Sequence, residues 1–206
     1  MAKVAIVDYG VGNLFSVEKA FAKFSDGVVL TSDASEIDSA DKIVLPGVGA
    51  FGDCMNNFKN SGLMDAVLRA VDDGRPLLGI CVGLQIMFEG SEESPGVKGL
   101  GLFRGMVRRI NAPGLKIPHM GWNSVTVNEG SDVNIDLFKG LKKEPYVYFV
   151  HSYQADPTDK SIILASSYYG EPITAAVGRK NVMATQFHPE KSGDIGLAII
   201  KNFVEG

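Results

Sequence analysis

Four short apolar runs punctuate the first half of the chain: Val4–Val7, Val28–Leu30, Ile43–Leu45 and Leu77–Ile80. Each is apolar on both faces and ends at turn residues, the pattern of a strand buried in a parallel sheet. Between the first two, Leu14, Val17, Phe21 and Phe24 fall at helical spacing, with Asn13 placed to cap the helix. Between the last two, Leu63, Val67, Leu68 and Val71 repeat that spacing until Gly74 and Pro76 stop it. Strands alternating with helices predict βαβ units and a doubly wound sheet.

After about residue 100 the pattern changes. Leu102–Ile110, Trp122–Val127, Tyr146–Tyr153, Ile162–Tyr168, Thr174–Gly178 and Val182–Phe187 are closely spaced strand-like runs. Gly170 with Pro172, and Arg179–Asn181, read as hairpin turns between them. A last helical pattern runs from Ile195 to Val204. No Pro/Ser/Gly-rich linker separates the halves, so the 206 residues are read as one mixed α/β domain, 1–206, with a mostly parallel central sheet and additional antiparallel strands in the C-terminal half.

Composition narrows the function. With 45 % hydrophobic and 21 % charged residues the chain has the makings of an ordinary core, which excludes disorder. A net charge of −4 argues against a nucleic-acid partner. No apolar run approaches the ~20 residues of a membrane span, and no basic-then-apolar leader precedes Val4. Two cysteines, Cys54 and Cys81, are too few for a disulfide scaffold. A cytoplasmic enzyme or binding protein is expected, without membrane association.

The chemistry concentrates around Cys81. Strand Leu77–Ile80 runs into Gly79-Ile-Cys81-Val-Gly83 and then a helix, the cysteine counterpart of the G-x-S-x-G nucleophile elbow. A nucleophile on so sharp a turn has a strained backbone, which the pattern predicts is tolerated because Gly79 and Gly83 flank it. A sulfur at a helix N-terminus is favoured as the thiolate, and the N–H groups that follow, from Val82 on, point at a developing oxyanion. The competing reading is a buried structural cysteine, the common fate of the residue type; Cys54, in the polar stretch Asp53–Asn60, is read that way. A thiolate needs a base and the base an orienter. His188 and Glu190 in Gln186-Phe-His-Pro-Glu follow the strand Val182–Phe187, and extended backbone before Pro189 predicts both side chains on one side. Spacing alone leaves open whether that pair is an ordinary surface pair, and whether it meets Cys81.

Gly47-Val-Gly49-Ala-Phe-Gly52 also fits a dinucleotide fingerprint, but that site needs an acidic residue ending a strand about 20 residues on. Asp72 and Asp73 stand at that distance and end a helix pattern instead. His119 and His151 read as structural histidines.

Taken together, Gly79-Ile-Cys81-Val-Gly-Leu-Gln85 and the late His188-Pro-Glu190 resemble the class I (triad) glutamine amidotransferases. Asp8–Leu14, Leu45–Gly52 and Pro118-His-Met-Gly-Trp-Asn123 are similar to the glutaminase subunits of imidazole glycerol phosphate synthases, a likeness running from Ala5 to Lys191. The resemblance implies the class I amidotransferase fold. It makes Cys81 the nucleophile, His188 the general base and acid, and Glu190 the orienting carboxylate. It places Gly47, Val48, Gly49, Val82 and Gln85 in the oxyanion hole and glutamine pocket, with no cofactor and no metal. It puts Met120, Trp122, Tyr148 and Lys191 at a heterodimer interface with a (β/α)₈-barrel cyclase, which takes ammonia from L-glutamine in histidine biosynthesis. A class I glutaminase serving another acceptor, such as pyridoxal phosphate synthesis, and a catalytically silent binding module on the same fold are the competing expectations.

Overall fold

The computed structural model describes residues 2–128, 130, 132–142 and 144–206. The first half is β1 (Val4–Val7), α1 (Leu14–Phe21), β2 (Val28–Thr31), α2 (Ala34–Asp38), β3 (Lys42–Gly47), α3 (Phe51–Ser61), α4 (Met64–Asp72), β4 (Leu77–Cys81) and α5 (Val82–Gln85). The second half adds β5 (Gly90–Ser91), β6 (Gly105–Arg109), β7 (His119–Ser124), β8 (Thr126–Val127), β9 (Tyr146–His151), β10 (Tyr153–Pro157), β11 (Ile163–Tyr168), β12 (Pro172–Arg179), β13 (Val182–Thr185) and α6 (Gly193–Glu205).

Among the described residues the main sheet runs β2-β1-β3-β4-β13-β12-β11-β8. The pairs from β2 to β13 are parallel; β12, β11 and β8 continue antiparallel. The α/β architecture with its mostly parallel sheet is therefore the one expected. Every residue of β1, β3, β4 and β13 is buried, as strands covered on both faces require. Helices α1 and α6 lie together on the sheet, with Phe21 edge-on to Phe203 at 6.3 Å between ring centroids. Lys42, at the start of β3, is itself buried and sends its Nζ to the Phe203 and Val204 carbonyls at the end of α6 (2.8 and 3.0 Å). The remaining strands form two small sheets, β10-β6-β5 and β7-β9.

Two local expectations change. Asn13 stands at the N-cap of α1, but its side chain makes no capping bond, and α1 ends at Phe21, leaving Phe24 in the following turn. The dinucleotide alternative gains nothing, because Asp72 and Asp73 close α4 and end no strand. The consequential feature is β13. Although late in sequence, it inserts parallel to β4, with Thr185 beside Ile80, so the loop after β13 opens beside the end of β4. The carboxyl ends of β3, β4 and β13 thus share one edge, where open α/β sheets bind ligands.

Candidate active site

Cys81 ends β4 and stands at the N-cap of α5 with φ 57° and ψ −110°. A residue with a β-carbon is held there only by its surroundings. Those surroundings are the glycines, though not for the reason their positions suggest. Neither Gly79 nor Gly83 adopts positive φ. A β-carbon on Gly83 would lie 1.9 Å from the Leu45 carbonyl oxygen, and one on Gly79 would lie 2.7 Å from Met87 Cε and 3.0 Å from Gly83. The glycines let β3, β4 and α5 close on one another, and the strain sits on Cys81 itself.

His188 stands three residues past the end of β13. Its N–H donates to the Tyr148 carbonyl (3.0 Å), and the His188 carbonyl accepts from Ser192 Oγ (2.6 Å), which fixes the ring's origin. Its Nδ1–H donates to Glu190 Oε1 at 2.8 Å, with both side chains almost fully buried. The pair does not form along extended backbone as the spacing predicts. Residues Pro189–Lys191 make a turn of 3₁₀ helix, and that turn folds the Glu190 carboxylate back onto the ring. His188 Nε2 makes no hydrogen bond of normal geometry within the protein. Burial works against a charged imidazole here, but the nearby Cys81 sulfur and the Glu190 carboxylate outweigh it and raise His188 to about 9.

A cavity of about 500 Å³ opens at this edge. Val48, Gly49, Cys81, Val82, Gln85 and His188 all line it. Gly47 does not; it is packed beneath, where a β-carbon would lie 2.8 Å from Gly83 N and 2.9 Å from Tyr9 Oη. Glu190 stands behind His188, outside the lining. The loop after β3 carries Gly49 at φ +98°, a conformation suited to glycine. Two side chains hold the end of β3 and this loop: Tyr9 Oη donates to the Pro46 carbonyl (2.7 Å) and Cys54 Sγ to the Val48 carbonyl (3.3 Å). Cys54 is thus a structural cysteine, buried, with its thiol pushed up to about 11 chiefly by that burial.

Gln85 Nε2 donates both to the Tyr153 carbonyl and to Gln186 Oε1, each at 3.1 Å. Gln186 Nε2 in turn reaches Cys81 Sγ at 3.8 Å. Sequence reasoning passed over Gln186; the available signal was a lone amide at the end of an apolar strand, two residues before His188. It also passed over Glu93 and Tyr153, which line the cavity, and it set aside His151, which lines it too. Met120 and Trp122 are 61 % and 56 % exposed on β7. Register places Trp122 opposite Tyr148 of β9, with the rings edge-on at 6.3 Å, and Lys191 lies at the cavity wall. Of the four residues expected at an interface, Lys191 lines the cavity, whereas Met120, Trp122 and Tyr148 lie on the β7–β9 sheet outside its lining.

A strained cysteine at a strand-to-helix turn, facing a buried His–Glu pair, is the arrangement of a thiol amidotransferase, and the chain belongs to the glutamine amidotransferase class-I family, whose sequence model matches residues 5–206. It is 50 % identical over 202 residues to imidazole glycerol phosphate synthase subunit HisH of Methanothermobacter thermautotrophicus, covering 98 % of each chain. It is 48 % identical over 208 residues to the subunit of the same name from Syntrophotalea carbinolica, covering 97 % of this chain and 98 % of the other. A solved crystal structure of a glutamine amidotransferase superposes with a TM-score of 0.75 over 98 % of this chain and 97 % of that one; at 20 % identity this likeness speaks for the fold alone.

Proposed function

We propose that this chain, as a single amidotransferase domain over residues 1–206, is the glutaminase subunit of an imidazole glycerol phosphate synthase in histidine biosynthesis. The observation that carries the reaction is that Cys81 and His188 line one cavity at the sheet's carboxyl edge, with Glu190 hydrogen-bonded behind the His188 ring. Cys81 attacks the side-chain amide carbon of L-glutamine as the thiolate. Its proton is held by His188, which Glu190 orients through Nδ1. The oxygen that becomes negative is met by the Val82 N–H and by a peptide N–H of the loop Gly47–Gly49, in the manner of an oxyanion hole. His188 passes its proton to the departing nitrogen, ammonia leaves, and a γ-glutamyl thioester remains. Water, deprotonated by His188, then releases glutamate and restores the thiol. With both Gln85 N–H groups engaged inside the protein, its carbonyl oxygen is what remains for the substrate, an acceptor suited to the glutamine ammonium group.

Free ammonia is largely protonated at neutral pH and then is no nucleophile, so the product serves synthesis only if passed on directly. The recipient is a (β/α)₈-barrel cyclase docked on the face of Met120, Trp122, Tyr148 and Lys191, forming a heterodimer. There ammonia completes imidazole glycerol phosphate and releases an aminoimidazole carboxamide ribotide. Loaded cyclase switches the glutaminase on by turning the Val48 peptide between its flanking glycines. Unchanged glutamine turnover on adding cyclase and its nucleotide would contradict that switch. Two free thiols suit a reducing compartment, and no helix among the described residues is long and apolar enough to cross a membrane; the cytoplasm is the proposed setting.

The test combines the chain, the cyclase and its nucleotide with glutamine and follows glutamate. Cys81→Ala abolishes glutamate formation while cyclisation driven by added ammonia continues. Glutamate formation that persists in Cys81→Ala overturns the assignment.

A further inference from the structure

Register in the small sheet sets His119 directly opposite His151. Their rings meet through His119 Nδ1 and His151 Nε2 at 3.0 Å, both side chains buried. The direction of that bond is fixed at both ends. Asn123 Nδ2, which can only donate, lies 3.2 Å from His119 Nε2, so Nε2 is the acceptor and Nδ1 carries the proton. At the other end His151 Nδ1 lies 2.8 Å from the Tyr153 carbonyl, which can only accept, so His151 Nε2 is bare. The two requirements agree, and each imidazole is neutral. Burial keeps it so, holding His119 down to about 4 and, aided by the neighbouring His119 and His188 rings, His151 down to about 3.

The Tyr153 carbonyl that receives His151 also receives Gln85 Nε2, whose other N–H goes to Gln186 Oε1; Gln186 then reaches Cys81 Sγ. One chain of hydrogen bonds therefore runs from strand β7, through two rings and two amides, to the sulfur. We propose that His119 and His151 are positioning residues for glutamine hydrolysis: their directed pair fixes the Tyr153 carbonyl, and through it Gln85 and Gln186, in the geometry that receives glutamine beside Cys81. This rests on the reading of Cys81 as nucleophile and Gln85 as a substrate contact. His119 is itself held by stacking between Phe149 (4.6 Å) and Tyr169 (4.2 Å), so the donor at Nδ1 has little freedom to turn away.

The test measures glutamate formation by the chain with its cyclase partner. His151→Leu removes the donor to Tyr153 and raises KM for glutamine about tenfold, with a smaller change in kcat, the size expected when one ordered hydrogen bond to the pocket is lost. His151→Asn, whose amide can still reach the Tyr153 carbonyl, recovers most of that loss, which mere filling of space does not explain. His119→Phe preserves the aromatic stack and removes the Nδ1 donor, together with the Nε2 acceptor of Asn123, whose amide keeps the Tyr168 carbonyl; it raises KM several-fold and serves where His151→Leu fails to fold. Because the two residues act in one chain, the double variant His119→Phe/His151→Leu is no worse than His151→Leu alone. Wild-type KM in His119→Phe, or additive losses in the double variant, overturns the proposal. Cys81→Ala run alongside separates the two readings: activity there defeats the nucleophile assignment, whereas an inactive Cys81→Ala with unaltered histidine variants defeats this one alone.

Discussion

Replacing Cys81 by alanine and by glycine tests the strained elbow without any reference to turnover. At φ 57° and ψ −110°, Cys81 is near the mirror image of extended backbone, where any β-carbon costs roughly 1–3 kcal/mol. Cys81→Ala keeps that β-carbon and therefore the strain. Cys81→Gly removes it, but loses roughly 0.5–1 kcal/mol because glycine gains freedom in the unfolded chain. The difference favours Cys81→Gly by up to roughly 2 kcal/mol. For a domain of this size 1 kcal/mol moves Tm by about 2–4 °C, so Cys81→Gly is expected to melt higher than Cys81→Ala by a few degrees. Thermal melting followed by circular dichroism, with urea titration for the free energy, measures both. Ala198→Gly inside α6 is the control, expected to lose about 1 kcal/mol as glycine ordinarily does in a helix. If Cys81→Gly is less stable than Cys81→Ala by that same ordinary margin, the backbone at the sulfur is unstrained and the elbow argument fails.

Glu190→Gln leaves His188 Nδ1 without its carboxylate and is expected to lower kcat roughly 10²–10⁴-fold with KM little changed; a loss under threefold would remove Glu190 from the mechanism. His188 is raised from the ordinary 6.5 to about 9 in the folded chain. The stability it lends is therefore full below its unfolded value and disappears as pH climbs from about 6.5 through about 9. The urea-midpoint advantage of the wild type over His188→Asn should shrink across that window, and kcat/KM should fall on its alkaline side; a pH-independent advantage contradicts the raised value. Lys42→Met strands the Phe203 and Val204 carbonyls at the end of α6 and should cost about 1–3 kcal/mol in urea unfolding, with glutaminase activity at low temperature kept.

The parallel core was readable because its strands are apolar on both faces, as in Val4–Val7 and Leu77–Ile80, and buried parallel strands leave no other pattern. Helix α2 leaves no signature in the sequence because Ala34–Asp38 is a single turn with Ile37 as its buried residue, too short to display a period. Cys81 and its glycines were legible as a local motif, since strand, turn and helix are consecutive in the chain. What the glycines accommodate was not, because the Leu45 carbonyl that excludes a β-carbon at Gly83 comes from another strand. The meeting of Cys81 with His188 depends on β13 inserting beside β4, a choice of sheet order that spacing does not carry. Gln186 and the His119–His151 pair were hidden for the same reason. Each is a buried polar group that matters through partners tens of residues away, joined only by the tertiary fold.

Of the two thiols in the chain, Cys54 is buried and bonded to the Val48 carbonyl, while Cys81 faces the cavity. Treating the protein with a glutamine analogue that carries an electrophilic carbon in place of the side-chain amide, followed by peptide mapping, reads out which sulfur attacks. The expected result is a single adduct on the peptide containing Cys81, suppressed by excess glutamine and slowed in His188→Asn. An adduct on Cys54, or labelling of Cys81 that glutamine does not protect, would contradict Cys81 as the nucleophile of a glutamine site.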